Sequence, residues 1–304
     1  VLNGTLNANT QQVRVGGDFM NMDSVLSTNV IIMDGASPAV IGSTGYSMIN
    51  VFTIAKNFGA PVTTSSDFAI SGTLNINTGN NLSAAGYDVS ANILNNWGTY
   101  NAADVTTIAS NFNNYASGSV VAGASTINVG GNFVNMGNFD EGTSTVVFNG
   151  AGLQTYNNPT ELYNAEVNNS SATSGVSLNA NMTVSNMLML TDGQILTGTR
   201  EVMVMNPAGN AVMSADGYVV GWLRRKITGS GSYAFPLGHP SRGKNGIEFT
   251  FTANSDADNI RAAFYPSTNS IRPSNANDCS VFSAAPLNNG RFTAMAFNSD
   301  MTTM

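Results

Sequence analysis

The phrase Val13-Arg-Val-Gly-Gly-Asp-Phe-Met-Asn-Met22 returns 114 residues later as Ile127-Asn-Val-Gly-Gly-Asn-Phe-Val-Asn-Met136. On either side of the Gly-Gly pair, apolar residues alternate with polar ones. That is the period-two signature of two half-buried strands joined by a turn. The same offset pairs Val62 with Val176, Phe68 with Met182, Ile70 with Val184, Leu74 with Leu188 and Gly79 with Gly193. Val30-Ile-Ile-Met-Asp-Gly35 also matches Val146-Val-Phe-Asn-Gly150 after a one-residue slip. The chain therefore reads as internally duplicated.

A shorter repeat of roughly 16–22 residues lies within the long one. Its phrases start at Asp88, Asp104, Thr126, Thr145, Leu162 and Met182, and many end in turns such as Asn149-Gly150 or Asp192-Gly193. Short strands at this spacing, without helical crossovers, leave two architectures, a parallel β-solenoid or a stack of β-sandwiches. The short period favours the solenoid, because one coil of about three strands uses about twenty residues. Val, Ile, Leu, Met and Phe would fill the interior. Asn, Thr and Ser would sit at corners and bond to the next coil's backbone.

Composition agrees with β-structure. Only 10% of the 304 residues are charged, against roughly 25% in an average soluble domain. Strong helix formers are scarce, and no amphipathic helix is evident. The net charge of −7 and the lack of clustered bases in most of the chain argue against a nucleic-acid partner. Cys279 is the only cysteine and His239 the only histidine, so an intrachain disulfide and a Cys/His zinc site are excluded. No apolar run approaches the length of a transmembrane helix. The start at Val1, inside a repeat-like phrase, reads as a processed or partial chain.

The texture changes near residue 218. Residues 1–199 hold only Arg14 and Lys56 as bases, whereas nine lie beyond. Longer alternating strands, such as Gly246-Ile-Glu-Phe-Thr-Phe-Thr252, read as antiparallel. The expected organisation is an all-β chain. A parallel β-helix spans 1–217, a small β-sandwich-like cap follows over 218–273, and 274–304 form a weakly patterned tail.

Gly131-Asn-Phe-Val-Asn-Met-Gly-Asn-Phe139, Gly142-Thr-Ser-Thr-Val-Val-Phe-Asn-Gly150 and Met187-Leu-Met-Leu-Thr-Asp-Gly-Gln-Ile195 resemble the coils of large secreted repeat proteins of Bacteroidota-type bacteria. The junction from Val220-Gly-Trp-Leu-Arg-Arg to Phe235-Pro-Leu-Gly238 is similar to the segment that follows such coils. The resemblance covers most of residues 1–265. It implies export, an extracellular or cell-surface location, and a role in display, adhesion or fibre formation. The C-terminal sorting domain usual in that group is not identifiable in 274–304.

Three functions follow as expectations. The first is a structural fibre subunit that self-associates through solenoid ends, with Val1, Leu2, Arg224, Arg225 and Lys226 as candidate inter-subunit contacts. On a strand, Arg224 and Lys226 would point together and Arg225 oppositely. The second is an adhesin binding surface glycans through Trp97, Tyr100, Tyr115 and Tyr156. The third is a polysaccharide lyase or glycoside hydrolase. Against it, Asp140–Glu141 read as turn residues, Glu161 and Glu166 have no evident groove, and Gly16-Gly-Asp18 is only a fragment of a calcium repeat. No catalytic, cofactor or metal residue is assigned, and a non-enzymatic protein is expected. His239 reads as a loop residue, Cys279 as buried, and the methionines as core.

Overall fold

A computed structural model describes residues 5–7, 9–44, 46–171, 174–251, 258–265 and 291–297. The chain divides into two compact units, Val1–Gly150 and Ala151–Met304.

The first unit is a three-sided parallel solenoid. One side contains Val89–Ala91, Val105–Ile108, Thr126–Val129 and Thr145–Phe148, each paired in parallel with the next. The second contains Thr73–Ile76, Ile93–Asn96, Phe112–Asn114 and Phe133–Asn135. The third is a seven-stranded sheet running from Phe19–Asn21 to Asn138–Asp140. The register steps by 17 residues (Val89 to Thr106) to 23 (Ala39 to Val62), close to the expected period.

Alternation sets the core. Leu74, Leu94, Phe112 and Phe133 occupy one register column and are fully buried. Phe112 and Phe133 stack with centroids 5.1 Å apart and planes 11° apart. Two residues further along each strand, Ile54 and Ile76 give way to Asn96, Asn114 and Asn135, all buried. Tight corners require glycine where coils touch. Gly123 and Gly142 both have left-handed φ (59° and 52°), and a Cβ on Gly142 would collide with the Gly123 carbonyl below.

The 114-residue offset does not return the opening phrase to the same side. Val13 lies in the Gln12–Val15 strand, which leads through successive parallel partners to the second side, where Phe133 lies. Its counterpart Ile127 is on the first side, and Phe19, the counterpart of Phe133, is on the third. Each corner needs an apolar strand, a Gly turn and a polar residue, so one phrase suits two different corners.

The second unit is also parallel at first. Glu161–Asn168 pairs with Met182–Asp192, and Val176–Leu178 with Gln194–Val204. Tyr218–Lys226 is the turning point. It pairs in parallel with Gln194–Val204 and antiparallel with Asn259–Tyr265. Gly231–His239 and Gly243–Phe251 form an antiparallel hairpin, and Asn259–Tyr265 pairs antiparallel with Arg291–Phe297. The expected parallel β-solenoid followed by antiparallel strands is what the chain forms. No helix among the described residues is long and apolar enough to cross a membrane.

Candidate functional site

Polar side chains on the coils are organised into ladders. On the outside of the second face, Asn113 donates to Asn95 Oδ1 (2.9 Å), Asn95 to Asn75 Oδ1 (3.0 Å), and Asn75 to Thr53 Oγ1 (3.3 Å). Inside the same corner, Asn96 donates to Asn114 Oδ1 and Asn114 to Asn135 Oδ1, at 2.8 and 2.7 Å. Their remaining amide hydrogens reach the carbonyls of Ser119 and Asn138. The second unit repeats the device, with Asn206 donating to Asn186 and Asn186 to Asn164. At other corners a side-chain oxygen accepts the next coil's backbone N–H, as Asp67 does from Asp88 and Asp88 from Val105.

The candidate aromatics separate into two classes. Trp97 and Tyr115 are half-buried and lie one residue beyond the paired Asn96 and Asn114. Their rings stack with centroids 4.4 Å apart and planes within 3°. Coils are spaced by about 4.8 Å, so these ring faces turn toward one another along the stack. Their edges turn outward. A sugar packs on an aromatic face, and the pair is therefore not a flat two-ring platform.

Tyr100 and Tyr156 are corrections to the sequence reading. Both are fully buried and cannot form part of a lateral ligand face. Tyr100 shares a hydrogen bond with Thr106 Oγ1 at 2.6 Å, and Tyr156 donates to Thr160 O at 2.5 Å. Burial pushes the Tyr100 phenol far above its ordinary range and Tyr156 up to about 12.

Comparison with family models, curated proteins and solved structures gives no match.

The basic run is also divided by the strand alternation. Arg224 forms a bidentate pair with Glu201 (2.9 and 3.2 Å), and Arg261 lies 4.0 Å from the same carboxylate. Arg261 also sits over the Trp222 ring at 4.5 Å. Lys226, on the same face, stands opposite Asn259 and is half-buried. Arg225 points the other way and is completely buried, so its expected role as a surface contact is overturned. Its guanidinium donates to the carbonyls of Ala234, Ala208 and Gly209 at 2.8–3.0 Å. Tyr233 and Phe235 lie 5.4 and 6.0 Å from its charge. Desolvation lowers its pKa to about 10. Val1 and Leu2 lie outside the described residues, as does Cys279.

The remaining titratable groups are dispersed. Arg14 pairs with Asp34 at 2.6 Å, and buried Lys56 donates to Gly16 O at 3.0 Å. Arg14 thus reaches the next coil, whereas Lys56 reaches back across two coils. Asp140 closes its strand and Glu141 starts the following turn. Glu166 accepts from Thr191, and His239, at the end of its strand and not in the loop expected for it, has Nδ1 against the hydroxyl of Ser241 in the hairpin turn. Among the described residues, no three His, Cys, Asp or Glu side chains gather as a metal site. The sequence reading missed the interior Asn column and the Arg225 cluster. The Asn-x-Gly spacing of Asn96-Trp97-Gly98 and Asn135-Met136-Gly137 was the available signal for the first.

Proposed function

We propose that this chain is an extracellular structural repeat protein, a surface or fibre subunit of the kind found in Bacteroidota-type bacteria. One observation carries the reading. Among the described residues, Asn side chains on successive coils are joined in ladders whose donors on one turn match acceptors on the next. Such a surface is self-complementary along its axis, so another copy's coil can continue it. The adhesin reading draws on Trp97 and Tyr115, whose outward edges are a weaker support.

Negative-stain electron microscopy of the native protein at micromolar concentration tests the proposal. Regular filaments are expected. Isolated particles at every concentration would overturn assembly through coil ends and move weight to the adhesin.

A further inference from the structure

We propose that the Gly243–Phe251 strand is a self-recognition edge. It would pair antiparallel with the same strand of a second copy, about a two-fold axis at Gly246. On one side this strand pairs with Gly231–His239 along nine successive positions. Among the described residues, no strand pairs with its other side. A row of backbone donors and acceptors is thus open to an added strand.

Side chains make that edge suitable for itself. Proteins block edges with proline, bulges or like charges that repel a second copy. Residues 243–251 contain no proline, and their register with the hairpin partner is unbroken. Their charged residues, Lys244 and Glu248, are opposite in sign, exposed, and two positions either side of Gly246. Antiparallel pairing centred on Gly246 puts Lys244 opposite Glu248 of the second copy, twice. Opposite charges placed in this way stabilise a strand pair, and like charges destabilise it.

The Lys244 ammonium already donates to the carbonyls of Ser214 and Ala215, which fixes it on that face. An ammonium has three donors, so one remains for the second copy's carboxylate. On the opposite face, Ile247, Phe249 and Phe251 are only half-buried. Phe249 packs on Phe235 and Phe251 on Tyr233, at 5.4 and 5.9 Å. In the proposed register Phe249 would cover Gly243 of the second copy.

A contact of one strand against one strand falls below the roughly 1,200 Å² of a standard interface, so association in the micromolar range is expected. The contact is isologous and closes as a dimer. It does not depend on stacking of coil ends.

Sedimentation analysis of the full chain, wild type and charge variants, tests this. Lys244→Glu and Glu248→Lys should each weaken dimerisation by roughly tenfold, and the double exchange K244E/E248K should restore it. In a Cys279→Ser background, Gly246→Cys should cross-link across the axis on oxidation, whereas Thr250→Cys should not. Space around Gly246 admits the side chain, since an added Cβ meets nothing closer than 3.8 Å. A monomer at all concentrations, a double exchange that fails to restore, or cross-linking at 250 in place of 246 would each overturn the proposal. Dimers without filaments support this contact and remove end-to-end stacking. Filaments whose parent protein shows no charge-exchange effect remove this contact and retain the stacking.

Discussion

Asn96 donates a fully buried amide hydrogen to Asn114 Oδ1 at 2.8 Å, one coil away, in a column that holds Ile54 and Ile76 on preceding coils. Polar residues at such a position cost free energy unless every hydrogen-bonding group is satisfied. Asn114 meets that condition as acceptor from Asn96 and donor to Asn135 Oδ1 and Asn138 O.

Asn114→Leu should therefore destabilise the first unit by about 1–3 kcal/mol, because acceptors on Asn135 and Asn138 lose their donor. Asn114→Asp should cost more at neutral pH. Its carboxylate would still accept from Asn96 but would face two further acceptors. Burial and those neighbours raise the introduced carboxyl's pKa, so the penalty should shrink as pH falls and the group protonates. Urea-unfolding midpoints at neutral and acidic pH check this, with Asn114→Leu as the pH-insensitive control. An Asp variant no weaker than Leu at neutral pH would contradict the ladder.

Much of this architecture was legible in the sequence because strand alternation is a local property. Leu74, Leu94 and Phe133 sit at inward positions of alternating phrases, and they form the core. Alternation tells inside from outside but does not say which of three sides a strand occupies. The opening phrase and its copy consequently look equivalent while lying on different sides. Inward Asn96 was equally hidden, since a polar residue beside a turn ordinarily reads as exposed. Tyr100 and Tyr156 resembled surface aromatics because their partners, Thr106 and Thr160, become visible only after the coil closes. For Arg225, alternation separated it from Arg224 and Lys226, but the carbonyl cage around it comes from two other segments, 208–209 and 234.

Trp97 and Tyr115 provide a test of the ladder against the glycan platform. In a Trp222→Phe background, Trp97 is the sole tryptophan. Tyr115→Ala should alter its emission and lower stability by about 0.5–1.5 kcal/mol beyond the loss of buried area, the worth of an aromatic pair. Titration with neutral and acidic oligosaccharides should leave the emission unchanged. A saturable shift would instead support the adhesin.

Arg225 should behave as a structural latch. Its guanidinium ties the carbonyls of Ala208 and Gly209 to that of Ala234. Hydrogen bonds to a charged group contribute about 1.5–3 kcal/mol each. Arg225→Met relieves the desolvation of the charge but leaves three carbonyls without this donor, and a net loss of about 2–4 kcal/mol is expected. Arg225→Lys should be intermediate, because an ammonium cannot reproduce the planar fork. Arg224→Met, which removes a partly exposed pair with Glu201, should cost about 1 kcal/mol or less. Thermal unfolding of the three variants gives the order, and an Arg225 variant as mild as that at 224 would refute the latch.

The alkaline limit of the fold should be set by buried tyrosines. Tyr156 is pushed up to about 12 and Tyr100 further, while Tyr218 is raised in the same direction, each by desolvation. Below pH about 10, where tyrosine is neutral in either state, these groups give no pH dependence. As pH rises from there toward about 12, the unfolded chain releases phenolic protons that the folded chain retains. Stability must then fall. Arg225 has the opposite sign, because its folded pKa is depressed to about 10 and the unfolded chain holds that proton longer. Its contribution rises with pH over the same window and partly offsets the tyrosines. The wild type should thus lose stability above pH about 10, whereas Tyr100→Phe/Tyr156→Phe should show a shallower slope. The phenylalanine variant starts lower at neutral pH because the Thr160 N–H loses its acceptor. The slope, not the intercept, is therefore the diagnostic. Urea unfolding at a series of alkaline pH values measures it, with tyrosinate absorbance reporting ionisation directly. Equal slopes in the two proteins would show that neither phenol is protected by the fold.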